Sequence, residues 1–197
     1  MTRPIPPVPA AAAALVVLCA ALPFLEGCVP MIIAGGAQVA VSAGDPRSTG
    51  AQIDDQTIEI KVTTEAGGRW GNEVHLNVTS YNGIVLLTGE APSTIIQDEI
   101  TKIAKSTDRV RIVQNEMVIG PATDLGARTN DTYITGLVKT RLLQEEKLKA
   151  LYIKVVTERS VVYLMGIMPR EQADLAAQVA ATTAGVAKVV KVVEYKP

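Results

Sequence analysis

Between residues 130 and 197 the apolar positions change their period in a fixed order. Ile134, Val138 and Leu142 recur every four residues, the spacing of one helix face, and Asn130 or Asp131 stands where a cap is expected. Leu151, Ile153 and Val155 then alternate with polar or amphipathic residues, as in a half-buried strand. Glu158-Arg159-Ser160 supplies a hairpin turn, and Val161 to Met168 a second strand. Pro169 opens a helix predicted to run to about Ala184, where its missing N–H does little harm. Gly185 fits the helix stop, and Lys188 to Tyr195 forms a last strand.

The same order is written once before. Asp55-Gln56-Thr57-Ile58 aligns with Asp131-Thr132-Tyr133-Ile134 at an offset of 76, and Val110–Val113 aligns with Val186–Val189 at the same offset. Asn82–Gly89 aligns with Arg159–Gly166 at an offset of 77. A period this long marks a duplicated small domain and not a solenoid repeat. At the hairpin the first copy has Tyr81-Asn82-Gly83, and Asn-Gly is a strong turn signal. Ser160 in the glycine slot of the second copy predicts a different turn type. Each copy reads helix, strand, strand, helix, strand: an α+β unit with a three-stranded mixed sheet packed against two helices. The first domain spans 51–120, the linker 121–128 and the second domain 129–197.

Residues 1–27 carry an early Arg3 and an Ala/Val/Leu-rich run broken by prolines, as in a secretory signal peptide and unlike a membrane-spanning helix. Leu25-Glu26-Gly27-Cys28 resembles a bacterial lipobox, in which the chain is cut before a cysteine that is then acylated. Cys28 is the expected lipidation site. Several acyl chains anchor a protein stably where a single one does not. By the same resemblance, Val29 implies sorting to the outer membrane. Residues 28–50, rich in small residues, are expected to form a lipidated tether.

Composition narrows the field. With one histidine and two cysteines, a disulfide framework or a Cys/His metal cluster is excluded by counting, and a net charge of −1 excludes a generally basic nucleic-acid binder.

The element order, the Gly83…Gly89 spacing and the late Gly185-Val186…Val189 signature resemble the BON domain. Two such domains behind a lipobox resemble the dual BON-domain outer-membrane lipoproteins, a likeness covering residues 25–197. Asp45-Pro46-Arg47-Ser48 and Asn130–Thr135 are similar to segments of that family. The resemblance implies a periplasm-facing, outer-membrane-anchored lipoprotein that supports the permeability barrier. It also implies that the first helix of the second BON domain binds anionic phospholipids such as phosphatidylglycerol and cardiolipin.

The near-neutral total conceals an asymmetry. Residues 48–120 hold six Lys/Arg against ten Asp/Glu, a net of −4; residues 129–197 hold ten against seven, a net of +3. A basic residue near an anionic membrane contributes about 1 kcal/mol, so the second domain should be attracted and the first repelled. On 131–144, Tyr133, Gly136, Leu137, Thr140 and Leu143 form a seam away from the core stripe, flanked by Lys139, Arg141 and Lys147. These eight residues are the expected phospholipid-binding set. The first copy has Thr57, Ile60, Lys61, Thr64 and Gly67 there, with Glu65 in place of Arg141. The competing reading packs Tyr133 and Leu143 against the other domain.

Other chemistry is weak. His75, between Val74 and Leu76, is expected to point to the polar side of a strand, with no motif marking a partner, so no catalytic role is expected. Gly35-Gly36 and Gly67-Gly68 do not follow strands in a phosphate-loop pattern. Trp70 is placed in a loop, packing locally, and Asp54-Asp55 and Asp98-Glu99 are read as helix-start dipole partners and not metal ligands. No cofactor or metal is expected. Three function classes are weighed: a lipid-binding lipoprotein, a periplasmic adaptor whose acidic first domain docks an envelope-assembly or cell-wall partner, and an enzyme, which no residue pattern here favours.

Overall fold

The structure is a computed structural model that describes residues 44–196. Val41–Pro197 is one compact unit, and the cores described below are complete within it. Cys28, Val29 and the signal segment lie outside the described residues.

The first domain begins with α1 (Thr49–Trp70), capped by the Ser48 hydroxyl, which accepts from the Ala51 N–H at 3.1 Å. Its buried stripe is Asp55, Ile58, Val62 and Ala66. Strands β1 (His75–Tyr81) and β2 (Ile84–Ala91) pair antiparallel; α2 (Thr94–Ser106) follows, and β3 (Ile112–Asn115) and β4 (Val118–Ile119) both lie parallel to β2. The final strand is thus broken at Glu116-Met117, and the sheet has four strands where three were expected. The second domain repeats the order with α3 (Leu125–Gln144), β5 (Lys154–Glu158), β6 (Val161–Met168), α4 (Arg170–Ala181) and an unbroken β7 (Lys188–Tyr195). Its strand order is β5-β6-β7.

Several local expectations change. Asp124 caps α3, accepting from Ala127 N–H at 2.9 Å, so α3 starts within the segment read as linker, and Asn130 and Asp131 are mid-helix. Asp54 and Asp55 are likewise inside α1, not at its start. Trp70 ends α1 and packs against the first core. Leu151 precedes β5, in a single turn of 3₁₀ helix over Ala150–Tyr152. α4 ends at Ala181; Gly185, at φ +87°, makes the later turn into β7, where a Cβ would come within 3.0 Å of Ile134.

The two mid-helix aspartates explain themselves through the hairpins. Asp55 accepts from the Ser80 hydroxyl (2.6 Å) and from the Asn82 and Gly83 N–H groups (2.7 and 2.8 Å). Asp131 accepts from the Arg159 and Ser160 N–H groups at 2.8 and 2.9 Å. Both turns have positive φ at their two central residues, 53° and 73° at Asn82-Gly83 and 52° and 62° at Arg159-Ser160. That is the pattern of a type I′ turn. The turn type is therefore the same in both copies, although Ser160 is not glycine.

Each helix pair covers one face of its sheet, with Ile58, Val62, Val85, Leu87 and Ile100 in one core and Ile134, Val138, Val162, Leu164 and Ala176 in the other. The opposite sheet faces meet each other: Tyr81, Ile84 and Leu86 pack with Tyr163, Met165 and Val192. Every residue of β2 is buried, because both of its faces are covered. Polar ties rim this junction, among them Asn77 to Glu158 at 2.8 Å, Arg111 to Glu194 at 2.8 Å and Lys154 to Glu59 at 2.7 Å.

Asp45-Pro46-Arg47 is built into the same unit. Arg47 pairs with Asp45 and Asp55, each at 3.0 Å, and its guanidinium lies 3.9 Å from the centre of the Tyr81 ring. The Tyr81 hydroxyl, pushed up to about 12 chiefly by burial, donates to the Tyr152 carbonyl across the junction.

Candidate functional site

The inner stripe of α3 (Asp131, Ile134, Val138, Leu142) is buried against the second sheet, which forces the opposite face outward. Tyr133 is 65% exposed and Leu143 58%. They do not pack against the first domain, because the domains meet through their sheets. Gly136 and Thr140 are exposed between them, the Thr140 hydroxyl donating to the Gly136 carbonyl at 2.9 Å, and Leu137 is half-buried. Lys139 and Lys147 are exposed, Lys147 in the turn beyond the helix end. Among the described residues neither makes an ion pair. Arg141 differs: half-buried, it donates to the Thr183 hydroxyl at 3.0 Å, and so braces the helix against the segment after α4.

Two exposed apolar residues belong to this surface and were not anticipated. Leu125 is 78% exposed. It lies 18 residues before Leu143, about five full turns, and so at the same azimuth on α3 about 27 Å away. The sequence hides it, because Asp131 has the look of a helix start and Leu125 stands six residues before it. Leu151, also 78% exposed, was assigned to a strand face by its alternation. The free edge of a 3₁₀ turn has no such periodicity to reveal it.

The corresponding face of α1 is not free of apolar residues: Ile53 and Ile60 are exposed. Its charges are what differ. Lys61 meets Asp108 at 3.7 Å, Arg69 meets Glu65 at 2.6 Å, and Arg109 meets Asp54 at 3.9 Å.

A second cluster lies at the domain junction. His75 Nδ1 is 2.9 Å from Glu90 Oε2 and 3.8 Å from Glu158 Oε1. The histidine thus has the carboxylate partner its sequence context did not show. Burial raises Glu90, but hydrogen bonds from the Thr123 N–H, His75 and the Thr123 hydroxyl outweigh it and hold the group below its usual range. An ionised Glu90 can only accept, so Nδ1 carries the proton. Glu158 moves the other way. Burial raises it against the Asn77 amide and His75, with Glu90 and Asp131 adding to the rise. The three side chains place their ligand atoms within 4.8 Å of one another, a spacing that could hold a cation. Glu90 Oε2 is already committed to three donors, and Arg159 stands 3.5 Å from Oε1. The arrangement therefore serves as a tie between the domains.

The BON domain family matches this chain twice, at residues 54–121 and 130–197. The chain belongs to the BON-domain family. Outer membrane lipoprotein DolP of Haemophilus influenzae is 39% identical over 183 residues, covering 92% of this chain and 95% of that protein. The 21 kDa hemolysin of Actinobacillus pleuropneumoniae is 37% identical over 77% of this chain and 79% of its own length. Among solved structures, the C-terminal domain of the Chlamydia trachomatis type III secretion protein CdsD gives a TM-score of 0.30 at 12% identity, over 70% of this chain and 96% of that one. The two BON domains and the relation to DolP make this chain a dual BON-domain outer membrane lipoprotein. No described helix is long and apolar enough to cross a membrane.

Proposed function

We propose that this BON-domain protein, acylated at Cys28 and facing the periplasm, binds anionic phospholipids through the outer face of α3 and thereby supports outer-membrane integrity. The observation that carries this reading is the coincidence of exposed Tyr133 and Leu143 with the cations Lys139 and Lys147, unpaired among the described residues. A tyrosine ring with a wet hydroxyl suits the headgroup level, and leucine suits the hydrocarbon boundary just beneath. Phosphatidylglycerol and cardiolipin are the proposed ligands. In vesicle cosedimentation, residues 41–197 should bind such vesicles, and Tyr133→Glu and Leu143→Glu should each weaken binding about tenfold while circular dichroism stays unchanged. Wild-type binding by both variants would remove α3 from the mechanism.

A second reading has its own support. The acidic first domain exposes Ile53, Ile60 and Ile95, a composition suited to docking a basic-rimmed envelope protein. The two readings use different surfaces and are compatible.

A further inference from the structure

Beside the last turn of α3 lies a cleft of about 330 Å³, bordered by Arg47, Tyr81, Lys139, Leu143, Leu151 and Tyr152. Its volume falls at the lower end of small-ligand pockets, about 300–1,000 Å³. Resting on the lipid-binding reading of α3, we infer that this cleft receives one acyl chain of an anionic phospholipid, so that membrane contact continues past the helix onto the turn at Leu151.

Three observations converge on that occupant. The cleft is apolar where it is deep, floored by the buried side chains of Leu142, Ile153 and Val155. Leu143 and Leu151, 58% and 78% exposed, are two large aliphatic groups at its lip that no described residue covers. The charge at the lip is selective. Arg47 is neutralised by Asp45 and Asp55, and Lys154 by Glu59, which leaves Lys139, among the described residues, as the unpaired cation beside the opening. One cation above a hydrocarbon slot fits a phosphodiester headgroup with its chain beneath.

The route of the chain agrees. Gly44 lies against Tyr152, so close that a Cβ there would run into the phenol oxygen. Gly44, the first described residue, thus rests on a side chain that also borders this cleft. Cys28 is sixteen residues earlier, a reach of at most about 55 Å. An anchor at Cys28 would hold this corner of the molecule within that distance of the bilayer.

The test uses residues 41–197 with vesicles containing phosphatidylglycerol that carries a photoreactive diazirine at the end of one acyl chain. Crosslinks are mapped by peptide mass spectrometry, and binding is measured in parallel by cosedimentation. The expected result is labelling within residues 147–155, and an about tenfold loss of vesicle binding in Leu151→Glu, the scale of withdrawing one leucine from hydrocarbon. Leu151 is largely exposed, so this variant keeps its fold. Normal vesicle binding with labels confined to α3 and an unaffected Leu151→Glu overturns the cleft while leaving the helix reading intact. Competition by glycerol 3-phosphate alone, without acyl labelling, shows headgroup contact only and also overturns it. No vesicle binding by the unaltered protein overturns both.

Discussion

Asp55 and Asp131 occupy the same place in the two domains. Each is buried on the inner stripe of the first helix, and each holds the hairpin opposite by accepting from successive turn N–H groups. The outer faces of those helices have separated. On α1 the cations are met by Asp108 and Glu65, whereas Lys139 on α3 and Lys147 in the turn beyond it have no ion-pair partner among the described residues, beside Tyr133 and Leu143. The inner face of a duplicated helix answers to a sheet it cannot leave. Its outer face answers only to solvent, a partner or a membrane. What distinguishes the second domain is consequently not greasiness, since Ile53 and Ile60 are exposed on α1 too. It is the pairing state of the charges.

The comparison is broken most sharply at the aspartates. Asp55→Ala strands the Ser80 hydroxyl and two turn N–H groups and takes from Arg47 one of its two carboxylates. Removing one partner of a buried charge network costs about 3–5 kcal/mol. Asp131→Ala strands two N–H groups and should cost less, about 1–3 kcal/mol. Chemical denaturation of residues 41–197 measures both. Equal losses would mean that the extra contacts of Asp55, to the Ser80 hydroxyl and to Arg47, add nothing to the fold.

Much of this architecture could be read from the chain. The two copies, their element order and the α+β class follow from the 76-residue offset and the change of period, and the outward position of Tyr133 and Leu143 follows from helical geometry. The junction between the sheets did not. Ile84-Val85-Leu86-Leu87 and Val161–Met165 are apolar without alternation, the mark of strands covered on both faces, yet nothing in either run says what covers the second face. The helix starts were misplaced because Asp131 resembles a cap locally, while its true partners are the N–H groups of residues 28 and 29 positions away. The carboxylate beside His75 was hidden for the same reason, being 15 residues distant on the neighbouring strand. Local pattern reports local bonds, and these are tertiary.

The next contrast sets Glu90 of the first domain against Glu158 of the second. Glu90 is held below its ordinary value, so it contributes stability at pH above that ordinary range, and the contribution is lost as pH falls through its folded value. Glu158 is held above its ordinary value, so its ionised form costs stability at neutral pH, and the cost is relieved as pH falls through its folded value. The surrounding charges are His75, Asp131, Arg128 and Arg159. At pH 7, Glu90→Gln should therefore destabilise by about 1–3 kcal/mol, because Thr123 and His75 lose a charged acceptor. Glu158→Gln should be neutral or stabilising and should flatten the pH dependence on the acid side of neutrality. Stability measured from pH 4 to 8 decides. If both variants lose equally at pH 7, the opposite polarity of the two carboxylates is refuted.

The smallest effect concerns the turns themselves. Gly83 and Ser160 hold equivalent places: the Arg111 N–H, just before β3, donates to the Gly83 carbonyl at 2.8 Å, and the Ala187 N–H, just before β7, donates to that of Ser160 at 2.8 Å. Ser160 adopts φ +62° with a side chain that this region disfavours by about 1–2 kcal/mol. Ser160→Gly removes that strain at the expense of a looser unfolded chain, so a net gain of about 1 kcal/mol is expected. The reciprocal Gly83→Ser must lose, because a Cβ at Gly83 would stand 2.7 Å from the Arg109 carbonyl, a backbone atom that cannot swing aside. Denaturation midpoints moving in opposite directions in the two variants would show that the turns share a shape and differ only in how well their residues suit it. A loss in Ser160→Gly would instead mean that the serine side chain contributes something to its turn beyond occupying it.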